Sequence, residues 1–180
     1  EMHRRFADEH SDFLAWVKLW DHVQEGGEPG AESRRQRDRR LAREFLHPLR
    51  LREWADVHAQ LQQSLAELHL KPLPFAGSQE ALYAAVHQAL LSGLLGNIGT
   101  CPGDSKQYHG THDTRFVIHP SSALARKTPR WIMAAEVVDT TRLFARTVAR
   151  IDPGWIETLG AHLLRRSWSE PHWEKKAAQV

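Results

Sequence analysis

A chain of 180 residues with 41% hydrophobic residues can bury a real core as one ordinary domain or two small ones, which excludes a wholly disordered chain. The 24 Lys and Arg nearly balance 22 Asp and Glu, so the net charge of +2 gives no reason by itself to expect nucleic acid. The one cysteine, Cys101, excludes an internal disulfide and a cysteine-rich zinc site, and no apolar run approaches the roughly 20 residues that span a bilayer.

A soluble protein of a reducing compartment, the cytoplasm, is therefore expected. EMHRRFADEH lacks the apolar segment of a secretory signal, and the start at Glu1 and end at KKAAQV read as a piece of something longer. The charge is unevenly spread. Residues 1–32 are acidic overall, whereas SRRQRDRRLAREFLHPLRLREW, residues 33–54, holds eight arginines.

In chain order, HSDFLAWVKLWDHVQ offers Ser11 and Asp12 as helix caps and sets Phe13, Trp16, Val17 and Trp20 on one helical stripe. GGEPGAE, residues 26–32, is a turn-rich connector. Ser33 caps a second helix, predicted to end near Leu46 ahead of Pro48. Leu51, Trp54, Val57, Leu61, Leu65 and Leu68 recur every three or four residues, an amphipathic helix that demands a partner. KPLPFAG, residues 71–77, reads as a linker, and Ser78 starts a helix through Leu82, Val86, Ala89 and Leu90 that ends around Gly93 and Gly96. The period then changes. RFVIHP (115–120), WIMAAEVVD (131–139) and LFARTVARI (143–151) predict strands, and Asp152 with Pro153 starts a closing helix through Trp155, Ile156, Leu159 and Leu163.

The expected class is α+β: a helical unit over 1–72, a linker at 73–77, a mixed unit over 78–166 and a tail over 167–180. Short strands with helices fit a small barrel among other α+β arrangements.

HSDFLAWVKLW, RLREWADVHAQL, ALLSGLLGNIG, FVIHPSSAL, RWIMAAEVVDTTRLFARTVARIDPGW and HLLRRSWSEPHWEKK, taken in order, resemble the C-terminal region of DEAH-box RNA helicases, especially the bacterial HrpA type. The resemblance implies a ratchet-like, helicase-associated helical subdomain followed by an OB-fold barrel with flanking helices. It implies an accessory region of a 3′ to 5′ ATP-dependent RNA helicase that holds single-stranded RNA against RecA-like motor and winged-helix domains. No GxxxxGK[ST] loop and no DEAH box occur in these residues, so no catalytic residue, cofactor or ATP hydrolysis is expected of the chain itself. ATP and magnesium belong to the parent.

Arg35, Arg39 and Arg43 align at i, i+4 while Arg34, Arg37 and Arg40 point elsewhere, so the run is expected to meet RNA only in part. Arg50 and Arg52 flank the helix break, where free amides can meet phosphate. In the mixed unit, Lys127, Arg130, Arg142 and Arg146 are candidate backbone contacts, and Arg146 and Arg150 are expected to share a strand face. Ser121, Ser122, Thr140 and Thr141 lie in turns that offer hydroxyls to phosphate or ribose, although ordinary turn capping explains such residues too. By the resemblance, His10 and Ser11 face the RNA channel. Phe116, Trp131 and Phe144 alternate like core residues. His109, His112, Asp113 and His119 lack the paired spacing of a metal site, and none is expected. Trp168, Pro171, His172 and Trp173 make an aromatic tail that would dock on a neighbouring domain. The competing expectation is a protein-docking or regulatory module of the same helicase that does not bind RNA by itself.

Overall fold

The computed structural model describes residues 2–25, 33–103 and 105–163; the connector 26–32 and the aromatic tail lie outside the described residues. After a 3₁₀ turn at Met2–Phe6, helix α1 runs Asp12–Glu25. Ser11 starts it, because its hydroxyl accepts the amides of Phe13 and Leu14 at 3.1 and 3.3 Å.

Helix α2, Arg34–Arg43, opens with a reciprocal Ser33–Gln36 capping box. It stops before the predicted Leu46, and the cause is not Pro48. Phe45 enters the left-handed region at φ 58°, and the amides of Phe45 and Leu46 return to Ala42 and Leu41 at 3.1 and 2.9 Å. That turn buries Leu41 and Leu46 beside Val23 of α1. Phe45 itself is 78% exposed, so its side chain contributes little while its backbone is strained. Phe45→Gly is therefore expected to raise stability by about 1 kcal/mol, read from a denaturant titration.

Helix α3, Pro48–Glu67, carries Pro at its first turn and ends in the same kind of turn, with His69 at φ 56°. Its first half finds a partner in α1, since Trp54 meets the rings of Trp16 and Trp20 at 6.0 and 4.9 Å. Its second half does not. Leu61 and Leu68 are 61% and 67% exposed, so the expected partner for this stripe is not found among the described residues. Trp16 and Val17, about half exposed, are likewise less covered than their stripe suggested.

Helix α4, Gln79–Leu94, is capped by Ser78 and buries His87 and Leu91, while Ala89 is exposed. Five strands then close into a barrel: β1 Ile98–Thr100, β2 Gln107–Gly110, β3 Arg115–Ile118, β4 Trp131–Asp139 and β5 Leu143–Arg150, in the order β1-β2-β3-β5-β4. Only β3 and β5 run parallel. Helix α5, Pro153–Leu159, closes the described chain with Asp152 accepting the Gly154 amide; it is shorter than predicted, and Leu163 is exposed. The class is α+β, with the helical region preceding an OB-like barrel.

The pattern of residues 98–110 did not announce β1 and β2, because glycine stands where β-branched residues usually do. Gly99 faces Gly110 across the ladder, and a Cβ on either would lie 2.5 or 2.7 Å from the Phe116 ring. Phe116 fills that space in the barrel core with Tyr108, Ile132 and Val148. A second apolar layer, Leu91, Met133, Ala149 and Ile156, joins the outer barrel wall to α4 and α5. Trp131 packs against it, as expected, but Phe144 is half-buried at the rim. No helix among the described residues is long and apolar enough to cross a membrane.

One strand residue breaks the two-residue alternation. Thr147 has φ 51°, a left-handed backbone that a β-branched side chain rarely adopts. Ala145 and Val148, three apart, therefore both point into the barrel core. Arg146 and Arg150 consequently do not share a face, contrary to the sequence pattern.

Candidate nucleic-acid interface

Asp12 holds the first helix to the barrel. One carboxylate oxygen accepts the Ala123 amide at 3.1 Å and the other accepts the Val148 amide at 2.9 Å, just beyond the strained Thr147. Beneath it, Ser11 is fully buried with His87. Nδ1 of His87 lies 2.6 Å from the Tyr83 carbonyl and must donate, so Nε2 accepts the Ser11 hydroxyl at 2.7 Å. Tyr83 completes the joint with its one hydroxyl proton, which lies between the carbonyls of His10 and Arg150 at 2.9 and 2.7 Å. Burial holds His87 below the ordinary histidine range and pushes the Tyr83 phenol up.

With α1 fixed this way, an open cleft of about 960 Å³ lies between the N-terminal turn, α1 and the β4–β5 face. Its charges come from Arg4, Arg126 and Arg146, against Asp12 and Glu136. Asp12 already serves two amides, and among the described residues no ion pair neutralises the three arginines. The loop wall adds Ser121, Ser122 and His119. Ser121 directs both its amide and its hydroxyl to Nδ1 of His119 at 3.2 and 2.7 Å, which leaves Nε2 of the neutral ring as a donor. On the helix wall stands Trp16, 51% exposed and edge-on to Trp54, a flat apolar surface within the basic cleft.

The twelve residues singled out by sequence do not converge. Ser121, Ser122 and Arg146 line the cleft. Thr140, Thr141 and Arg142 form the adjoining hairpin tip, where the Arg142 guanidinium sits 5.2 Å over Phe144, itself 5.3 Å from the His119 ring. His10, Lys127 and Arg130 line a smaller hollow of about 390 Å³ behind the same loop, together with Arg150. There Lys127 is paired with Glu9 at 2.6 Å, an ion pair whose hydrogen bond holds the Glu9 carboxyl below its usual range. Arg50 bonds to Glu53 at 3.0 Å and lines a separate apolar hollow next to Trp16, and Arg52 bonds back to the Pro48 carbonyl at 3.3 Å. Ser11 is a correction: a fully buried hydroxyl that caps α1 and serves His87 has nothing to offer a strand.

Arg4, Arg126, His119 and Trp16 join the site without having been singled out for it. Trp16 could be read only as a stripe residue, and Arg4 lies over a hundred positions from the loop that it faces. Among the described residues, no three His, Cys, Asp or Glu side chains converge as a metal would need.

Residues 86–163 match the family described as the oligonucleotide/oligosaccharide-binding (OB) fold, in agreement with the closed barrel. Along its whole length the chain is 45% identical to the ATP-dependent RNA helicase HrpA of Escherichia coli and 44% identical to the HrpA homolog of Haemophilus influenzae, covering 13% of each. It is 26% identical over 92% of its length to the human probable ATP-dependent RNA helicase DHX35, of which it covers 22%. The chain thus spans about an eighth of the length of its bacterial relatives. By barrel and by sequence, it matches the C-terminal OB-fold region of an HrpA-type DEAH helicase.

Proposed function

We propose that this chain is an accessory RNA-binding region of a cytoplasmic 3′ to 5′ ATP-dependent RNA helicase, and that it holds single-stranded RNA in the cleft between α1 and the barrel. The observation that carries the reading is the trio Arg4, Arg126 and Arg146, which no ion pair among the described residues neutralises, around an exposed tryptophan. Phosphates would meet the guanidiniums and a base would stack on Trp16, the combination by which proteins hold single strands without reading sequence. Thr140, Thr141 and Arg142 at the hairpin tip, and Arg50 beside Trp16, would extend the path at either end. His10, Lys127, Arg130 and Arg52 would lie along a second, more neutralised route.

The mechanical consequence is a grip. A strand held by its backbone against RecA-like motor and winged-helix domains would be moved by their closure instead of slipping. ATP and magnesium would act on those domains, since this sequence has no GxxxxGK[ST] loop to cradle a triphosphate.

A second reading, docking onto protein, is favoured by the bare apolar half of α3 around Leu61 and Leu68. Salt distinguishes the two. Binding of a fluorescent single-stranded RNA should weaken linearly in log salt with a slope of about −0.7 per phosphate met, so roughly −2 for three arginines. Absence of binding at low salt would instead leave the chain a docking element.

A further inference from the structure

The three cleft arginines differ in what supports them. Arg126 and Arg146 stand on the barrel, whereas Arg4 stands on the 3₁₀ turn Met2–Phe6. A turn of that kind has few and poorly aligned hydrogen bonds of its own, so its neighbours decide where it points Arg4. Its base is held by α1. Phe6, 8% exposed, sets its ring 5.2 Å from that of His22, and Lys18 meets the Ala7 carbonyl and the Asp8 carboxylate at 3.4 and 3.0 Å. These contacts fix residues 6–8 and leave His3, Arg4 and Arg5 to be placed by something else.

Glu44 places them. Nε2 of His3 donates to the Glu44 carbonyl at 2.9 Å, and one oxygen of the Glu44 carboxylate takes both the Arg5 guanidinium and, at 2.7 Å, Nε2 of His22. Both neighbours of Arg4 are thus tied to one residue, while Arg4 itself is exposed and lines the cleft. The Glu44 side chain is only 19% exposed, so solvent screens this ion pair less than an open surface pair. Its own position comes from the end of α2. Phe45 turns left-handed directly after it, and Leu41 and Leu46 on either side are buried beside Val23 of α1. Glu44 is therefore held against the helix that also carries His22.

We propose that Glu44 is a positioning residue for RNA: through His3 and Arg5 it holds Arg4 toward the cleft and so acts on the strand without touching it. This rests on the reading of the cleft as a single-strand site. Charge alone predicts the opposite effect. Removing a carboxylate makes the chain more positive, and the summed field should then draw a polyanion more strongly. Positioning predicts weaker binding, because an untethered Arg4 must be ordered anew for its phosphate. The sign of the change separates the two.

The test is to measure binding of a fluorescent single-stranded RNA across a salt series, each protein being kept below the onset of its thermal melt. The chain itself is compared with Arg4→Ala, Glu44→Ala, the variant carrying both, and Arg126→Ala/Arg146→Ala. Arg4→Ala is expected to lose roughly three- to tenfold in affinity, with a salt slope shallower by about 0.7. Glu44→Ala is expected to lose roughly twofold or more, and to cost nothing further once Arg4 is gone, because its effect passes through Arg4. Glu44→Gln keeps the shape of the side chain, which guards against a variant that does not fold, and is expected to weaken binding in the same direction. Tighter or unchanged binding by the Glu44 variants would overturn the proposal, as would an equal loss from Glu44→Ala with and without Arg4. If Arg4→Ala binds like the parent chain while Arg126→Ala/Arg146→Ala binds weakly, the cleft reading stands and this one falls. If the parent chain binds no strand, both fall together.

Discussion

Truncating His87 to alanine is expected to lower stability by about 3 kcal/mol, and with it the thermal midpoint by roughly 10 °C. Two costs combine. The imidazole is fully buried, so its removal leaves a cavity bounded by Phe13, whose ring it meets edge-on at 6.2 Å, and by Tyr83, stacked at 3.9 Å. The Ser11 hydroxyl also loses the acceptor for its proton, in a place that water does not reach. Because Ser11 caps α1, the damage should reach the cleft wall that α1 supplies. Loss of RNA affinity beyond the loss of folded protein would be the sign of that coupling.

The same variant predicts a change in pH dependence. Burial holds folded His87 below its ordinary value of 6.5, although its bond to Tyr83 and the nearby Asp8 oppose the shift. Between the folded and the ordinary value, the unfolded chain binds more protons, so stability falls as pH drops below about 6.5. The carboxylates titrate lower. Asp8 is held down by the His10 amide and Lys18 despite burial, and Glu44 by His22 and Arg5, so their stability is lost only in stronger acid. His87→Ala should thus flatten unfolding free energy against pH in the window just below about 6.5 while leaving the more acid limb in place. An unchanged slope there would mean that another group titrates in that window.

The helix caps and three of the strand segments were legible because their signals are local: Ser33, Ser78, Asp152 with Pro153, and the apolar alternation of β3, β4 and β5. Helix α2 ended early for a reason that composition conceals, since the terminating residue in the left-handed region is Phe45 where glycine is usual. β1 and β2 were hidden because their glycines are chosen for the Phe116 ring, a partner that only the barrel brings near. The site was the least legible part. Thr147 reverses the facing of β5 midway, so any periodicity drawn through Arg146 and Arg150 assigns one of them to the wrong side. Ser11 belongs to a motif that the resemblance directed toward RNA, yet its chemistry here is spent on a cap and a buried histidine.

The largest effect on function is expected from replacing Arg126 and Arg146 together with alanine. They stand on the loop and the strand that form one wall of the cleft, and neither is paired among the described residues, so their removal should cost the fold little. Arg146 lies opposite Glu136 on the outer face of the β4–β5 ladder, away from the core residues Ala145 and Val148. With both guanidiniums meeting phosphate as proposed, their loss should reduce affinity for single-stranded RNA by roughly tenfold to a hundredfold at low salt and make the salt slope shallower by about 1.4. Glu136→Gln is expected to act the other way, strengthening binding modestly by removing the carboxylate that shares the cleft with the guanidiniums. Trp16→Ala should lower affinity by about 1–3 kcal/mol with the slope unchanged, because stacking releases no counterions. A double arginine variant that binds as tightly as the parent chain, with the same slope, would move the strand off this cleft, leaving the hollow around Lys127, Arg130 and Arg150 as the next place to look.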